Sequence, residues 1–410
     1  MPLIRSQTRA QRRGVLAVNA GRWLGHERLP GLLVLVALLA GFITANSAFA
    51  PVYWRVHHLP VHLGIGTLAF REPLIEFINS GLMALFFLQI SLQLRRELAE
   101  GPLASPRAAA MPLLAAIGGM AMPALIYLSI NSADPAGLHG WAIPTATDTV
   151  LAISVLSLLG RRTPAALKVF LLALAVFDDI GAVLIIGLFY SSPASPWAFA
   201  AAALSAAMLA AAGRMRIARP APYLLLGLAL WVALGRAGIE AALAGAVVGA
   251  CYMRCGDMPG SGSSASALEQ RLRPWVDYGV VPLFAFFNAG VPVSADALAD
   301  LLLPVGLGVV AGLALGKPLG IACAAWLAEK AGLAHRPGGI RWSALCGAGA
   351  LAGIGFTMSL FIGSLAFGQN SALQTVRLAV LIASALAALA GLSLLWASTR
   401  SRPPCGSGPR

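Results

Sequence analysis

The chain has 410 residues, 58% of them apolar and only 11% charged, which is too little polar surface to coat a soluble globule of that size. Its formal net charge of +13 invites comparison with nucleic-acid binders, but the cations sit in short polar breaks between apolar runs and form no basic domain that lies along a duplex. Composition therefore puts the chain in a lipid bilayer and leaves nucleic acid off its list of partners.

Taken from the start, Met1 to Arg28 holds six arginines and no apolar core of signal-peptide length, so 1–28 reads as a cytoplasmic basic arm ahead of an uncleaved first span. Apolar runs of about 20 residues, the length that crosses a bilayer as helix, then recur almost to Thr399. Backbone groups in hydrocarbon must be satisfied within each segment, and runs this long and rich in Ala and Leu suit helices and not barrel strands. About twelve spans result, near 29–50, 75–94, 108–130, 138–159, 165–190, 197–213, 221–235, 238–253, 275–291, 302–328, 342–367 and 374–398. The first outer loop contains VHLGIGTLAF, Val61 to Phe70, whose alternation around Gly64 and Gly66 fits a short hairpin and an irregular surface loop equally well. GSGSSASA after Pro259 reads as a flexible inner linker, and 399–410 as a cytoplasmic tail behind a transmembrane domain of residues 29–398.

Charge supports this division, because Lys and Arg collect in cytoplasmic loops. With the N-terminus inside, roughly 24 of the 29 cations fall in inner segments and about 4 in outer loops, with Lys317 inside a span. An even span number and two cytoplasmic termini follow. The five cysteines include Cys251 and Cys255 in a C-x3-C spacing without a His or Cys at zinc-ligand distance, and they read as small apolar side chains in a reduced setting. The six histidines are placed in tails and loops.

An ionisable group at mid-membrane depth is costly, and each one is a functional candidate. Asp148 lies in IPTATDTVLA of the fourth span, Asp178 and Asp179 in LALAVFDDIGAVLII of the fifth, and Lys317 in GLALGKPLGI of the tenth. Adjacent helical residues point about 100° apart, so one aspartate of the pair can face a water-filled path while the other meets Lys317. Competition between Na⁺ and H⁺ for such carboxylates is enough to make an exchanger. The fourth span is a poor helix: Pro144 precedes Thr145, Thr147, Asp148 and Thr149, whose oxygens suit a hard cation. The eleventh span is weakened by Gly347, Gly349, Gly353 and Gly355. Two interrupted spans in corresponding places point to inverted repeats with a site between them, while close helix packing is the other reading, as for Gly312, Gly316 and Gly320.

These residues resemble the NhaA sodium/proton antiporter family, through FFLQISLQLRREL, AAIGGMAMPALIY, GWAIPTATDTVLAI, ALKVFLLALAVFDDIGAVLII, PLFAFFNAGV, GKPLGI and GIGFTMSLFI. The resemblance implies twelve helices with two crossing, partly unwound ones, here the fourth and eleventh, with breaks at Pro144, Gly353 and Gly355. It implies that Asp179 is the principal transient Na⁺ ligand, that Asp178 is the partner of Lys317, and that Thr147 and Asp148 border the site. It further implies electrogenic exchange of cytoplasmic Na⁺ or Li⁺ for external protons across a bacterial inner membrane, no cofactor, and a homodimer joined partly through the first outer loop. Ser80 and Gln93 stand where well-characterised relatives carry acids, and Glu240 where they carry a histidine. The resemblance associates those positions with pH response and puts all three on the cytoplasmic side.

Three rivals remain at this stage. A sodium-coupled organic-anion symporter on a related fold needs a roomy polar cavity. An intramembrane enzyme needs two carboxylates that share a proton, which Lys317 opposes, or a D-D-x-x-D magnesium motif, whereas here the pair runs on into Ile180, Gly181 and Ala182. A passive cation pore dissipates a gradient instead of converting one.

Overall fold

A computed structural model describes residues 28–63, 70–99, 105–160, 163–191, 195–217, 219–252, 264–292, 295–368 and 371–400. Residues 1–27 of the basic arm, the hairpin tip, Cys255, residues 260–263 of the Gly/Ser segment and residues 401–410 of the tail lie outside the described residues.

The chain is almost wholly helical. In order it forms α1 (Arg28–Ala45), α2 (Ala50–His57), strands β1 (Pro60–Leu63) and β2 (Phe70–Pro73), α3 (Leu74–Ala99) and α4 (Pro106–Ile130). A 3-10 segment (Gly137–Thr145) and α5 (Thr149–Leu158) come next, then α6 (Ala165–Phe189), α7 (Pro196–Arg214), α8 (Pro220–Ala237) and α9 (Leu243–Tyr252). The rest comprises α10 (Ser264–Trp275), which passes through a π turn at Val276–Val280 into α11 (Val281–Asn288), the short α12 (Ala295–Asp300), and α13 (Pro304–Ala311). A second π turn (Gly312–Gly316) leads into α14 (Lys317–Lys330), followed by α15 (Trp342–Ala352), α16 (Phe356–Phe367) and α17 (Ser371–Arg400).

Seven helices among the described residues are long and apolar enough to cross a bilayer, and ten spans result if each of three bent helix pairs counts as one. Large apolar side chains such as Leu188, Trp197, Leu225 and Leu389 are left exposed on their outer faces, an apolar surface that only lipid covers favourably. The chain is thus an all-helical, multi-span membrane protein.

The loop between the first two spans has more structure than its sequence indicates. The span expected at 29–50 ends at Ala45, and α2 turns away from α1 by 110°. Pro51, at the start of α2, suits a helix N-terminus because proline lacks the N–H that would go unpaired there. β1 and β2 then pair antiparallel, Pro60 against Pro73 and Leu63 against Phe70, which decides for the hairpin reading. Placing every histidine in a tail or loop is wrong: His57 is 1% exposed inside α2, His62 lies in β1 and His139 in the 3-10 segment. His57 is buried because α2 packs on the end of α11, where the Tyr53 hydroxyl lies 2.9 and 2.8 Å from the Phe286 and Phe287 carbonyls, two acceptors for its single hydrogen. The Gly/Ser linker is shorter than expected, since Ser264 already begins a helix.

Gly312, Gly316 and Gly320 do serve close packing. A Cβ on Gly316 would meet Pro123 Cα at 2.8 Å, and one on Gly320 would meet the Gly118 carbonyl oxygen and Met122 Cβ, so α14 and α4 approach backbone to backbone. Gly320→Ala is accordingly expected to overpack this seam and cost about 1–3 kcal/mol. The measurement is the melting temperature of the purified protein in detergent, and an unchanged value would show that the two helices part without cost.

Candidate functional site

The two broken spans bring the site together. The 3-10 segment and α5 form one bent pair (44°) and α15 and α16 the other (45°). Pro144 and the β-branched Thr145, Thr147 and Thr149 weaken the first at its middle, and residues 146–148 leave helical geometry. In the second, Gly353 and Gly355 keep ordinary negative φ values, so their freedom of conformation is not what the break uses. They are needed for proximity: a Cβ on Gly353 would meet the Leu313 carbonyl oxygen at 2.5 Å, and one on Gly355 the Ala146 oxygen at 3.2 Å. The breaks touch, with the Asp148 N–H donating to the Ile354 carbonyl at 2.6 Å.

Breaking two helices in apolar surroundings exposes two N-terminal and two C-terminal ends, each with unpaired backbone groups and a partial charge. Three side chains answer them. Asp148 caps α5 by accepting from the Leu151 N–H at 2.9 Å through Oδ1, and its Oδ2 accepts from the Thr357 N–H and hydroxyl at 3.1 and 2.6 Å at the start of α16. One carboxylate therefore serves both positive helix ends. At the negative ends, Lys317 Nζ donates to the Thr145 carbonyl, and the Thr147 hydroxyl lies 2.8 Å from the Ala352 carbonyl.

Lys317 also pairs with Asp178, Nζ to Oδ2 at 2.9 Å, with both side chains fully buried. The Thr147 hydroxyl lies 2.6 Å from the same Oδ2, so its single hydrogen has two acceptors, Asp178 and Ala352. Asp179, one residue further round α6, turns elsewhere. Its Oδ2 accepts from the Thr149 hydroxyl at 3.2 Å, and it lines a cavity of about 110 Å³ that runs past Gln89, Gln93 and Thr149 to Arg96, Lys168 and Asp277. The adjacent aspartates thus face different partners. Thr149 belongs to the group of oxygens that the sequence marks at the first break, whereas Thr357 is not among the residues picked out in the sequence, where nothing beyond its place just after Gly355 points to it. Among the described residues no cluster of three His, Cys, Asp or Glu side chains is suited to holding a metal, and the oxygens gathered here are of the hard, neutral and anionic kind.

The three residues expected together on one side are divided between two. Ser80 and Glu240 line a second cavity, of about 390 Å³, with Glu76, Asn79, Tyr190 and Gly368. Gln93 belongs to the cavity of Asp179. These cavities open at opposite ends of α3, where Ser80 and Gln93 are separated by about 20 Å of helix. A helix that crosses the whole protein puts its two ends on different sides, which sequence proximity hides. Glu240 accepts from the Ala242 N–H at 3.0 Å, and Asp277 pairs with Arg273 at 3.3 Å. At the mouth of the smaller cavity Arg96 bridges Glu97 and Glu269, at 3.4 and 2.8 Å. Burial pushes the Glu269 carboxyl up, against the opposing pull of the Arg96 and Arg273 guanidinium groups.

Comparison with known proteins gives the chain's family. A family model described as Na+/H+ antiporter 1 matches residues 21–395. The chain is 44% identical over 385 residues to the Na(+)/H(+) antiporter NhaA of Escherichia coli, covering 93% of this chain and 98% of the relative. Identity to the protein of the same name from Citrobacter koseri is also 44% over 385 residues, covering 93% of this chain and 98% of that relative. With that of Pseudomonas fluorescens it is 43% over 382 residues, covering 92% of this chain and 96% of that relative.

Proposed function

The chain belongs to the Na+/H+ antiporter 1 family, a family of transporters and not of enzymes, and from that premise we propose that it exchanges cytoplasmic Na⁺ or Li⁺ for external protons at Asp178 and Asp179. The observation that carries the site is the division of labour between the two aspartates: Asp178 is held by Lys317 and Thr147, while Asp179 faces a cavity. In this reading Asp179 is the principal Na⁺ ligand, and Asp178 joins it when Lys317 lets go. Asp148 keeps the half-helix ends neutralised beside the ion. Na⁺ and H⁺ compete for the same oxygens, so a carboxylate holding one excludes the other, and exchange follows from a single site exposed to each side in turn.

The wider arrangement belongs to the same proposal. Twelve spans, counting α9 and the interrupted α10–α11 helix, form two inverted repeats in a bacterial inner membrane, with residues 29–398 as the transporting domain. The basic arm of residues 1–28 and the tail of residues 399–410 are both cytoplasmic, as the Lys and Arg distribution supports. Exchange is electrogenic, and the protein works as a homodimer to which the β1–β2 hairpin contributes. The symporter reading is weakened by size: the cavity that reaches Asp179 is about 110 Å³, well below the roughly 300 Å³ at which small-molecule sites begin.

The test places the protein in everted membrane vesicles with a respiratory proton gradient and follows internal acidity with a fluorescent probe as Na⁺ or Li⁺ is added across a pH series. Dequenching on addition of either cation is expected. Absence of any response at every pH, together with Na⁺-driven uptake of an organic anion, would turn the assignment to symport.

A further inference from the structure

The ion site uses Asp178, Asp179, Asp148, Thr147 and Lys317, and one polar group on the path to it is left without a part. Gln89 lies in the apolar run FFLQISL at the middle of α3 and is 5% exposed, and its side-chain oxygen accepts no hydrogen bond among the described residues. A buried amide oxygen without a donor has lost its hydration and gained nothing in return, so its presence in an apolar helix face needs a reason. Gln89 lines the cavity that contains Asp179, and Gln93, four residues on and therefore on the same helix face, lines it too.

The charges along this cavity set a problem for an incoming cation. Arg96, Lys168 and Arg273 line it, whereas the carboxylate that attracts Na⁺, Asp179, is 3% exposed. Asp277 and Glu269 at this end are already paired with Arg273 and Arg96, so a cation sheds water and passes these positive groups before it reaches Asp179. A neutral amide oxygen is a hard donor that replaces a water ligand, yet it holds the ion far less firmly than a carboxylate does, which suits a place of passage.

We propose that Gln89 is a cation-binding residue of the access path, its side-chain oxygen forming with the Thr149 hydroxyl a transit site for partly dehydrated Na⁺ or Li⁺ next to Asp179. This assignment rests on the exchange reading above. Gln89 governs how readily the ion reaches the aspartates, and Asp178 and Asp179 govern whether it is exchanged.

The experiment compares full-length wild type with Gln89→Met, which keeps the length of the side chain and removes its oxygen, and Gln89→Glu, which keeps the shape and an oxygen. Exchange in vesicles is measured against Na⁺ concentration. Gln89→Met is expected to raise the half-saturating Na⁺ concentration about fivefold to tenfold while the maximal rate is retained, and Gln89→Glu to stay within about twofold of wild type or below it. An unchanged half-saturation in Gln89→Met, or an equal loss in both variants, overturns the assignment, the second outcome marking a packing role. Independently of any variant, the ¹³C-labelled side-chain carbonyl of Gln89 in the wild-type protein is expected to shift on titration with Na⁺ and not with choline, and no shift with Na⁺ overturns it as well. Wild-type protein that moves no protons on cation addition overturns the exchange reading itself, an outcome distinct from wild-type exchange with an indifferent Gln89.

Discussion

Asp179→Asn and, separately, Asp178→Asn are each expected to abolish cation-driven dequenching while leaving a folded protein in the membrane. Asparagine keeps the volume and planarity of the carboxyl group, so packing of α6 is preserved and charge is the quantity removed. That charge is what makes an enclosed site acceptable to Na⁺. A single pair of opposite charges at 4 Å is worth about 4 kcal/mol at an effective dielectric of 20, or roughly three orders of magnitude in affinity. At Asp179 the loss falls directly on the ion. At Asp178 it also strands Lys317, whose buried ammonium keeps the neutral Thr145 carbonyl as a partner but loses its counter-charge, and whose charge then opposes Na⁺ next door. Exchange at the wild-type level in either variant, with normal amounts of protein in the membrane, would remove the proposed site.

The second large effect concerns stability. Lys317→Met is expected to lower unfolding free energy by about 3–5 kcal/mol, because it leaves a buried carboxylate without its counter-charge. Lys317→Met combined with Asp178→Asn is expected to recover most of that loss, since a buried ion pair replaced on both sides is often close to neutral. Both variants lack exchange, so the readout is thermal unfolding in detergent, compared across the single and double substitutions. A double variant as unstable as Lys317→Met alone would mean that Lys317 matters for the Thr145 carbonyl and not for Asp178. The two contacts are separable in this way because one is to a side chain that can be changed and the other to backbone that cannot.

Much of this site is legible in the sequence for a simple physical reason. Charged residues inside apolar runs have few benign explanations, so Asp148, Asp178, Asp179 and Lys317 announce themselves, and proline and glycine mark the two breaks. What the chain does not disclose is who meets whom across long separations. Thr357 donates to Asp148 across 209 positions, and nothing local to either residue foretells it. The π turns at Val276–Val280 and Gly312–Gly316 have no distinctive composition, because an extra residue in a helical turn is set by packing on neighbours. Gln89 did carry a signal, a polar side chain in the middle of an apolar run, but an uncharged amide draws less notice than an acid. Helix α2, at eight residues, is too short to show a period in the sequence, and the burial of His57 depends on α11, more than 200 residues away.

The contact between the two breaks has a mechanical consequence. Two rods that touch along their length resist both sliding and turning, whereas two rods fastened at one point resist sliding alone. Here the fastening is spread around the crossing: a backbone bond from Asp148 to Ile354, a carboxylate reaching Thr357, the Thr147 hydroxyl 2.8 Å from the Ala352 carbonyl, and the Ser359 hydroxyl donating to the Ile143 carbonyl at 2.7 Å. Ties at several points make the two breaks one unit that resists both sliding and turning, so the geometry beside Asp178 is set by both spans at once, and a change in either break is felt by the other.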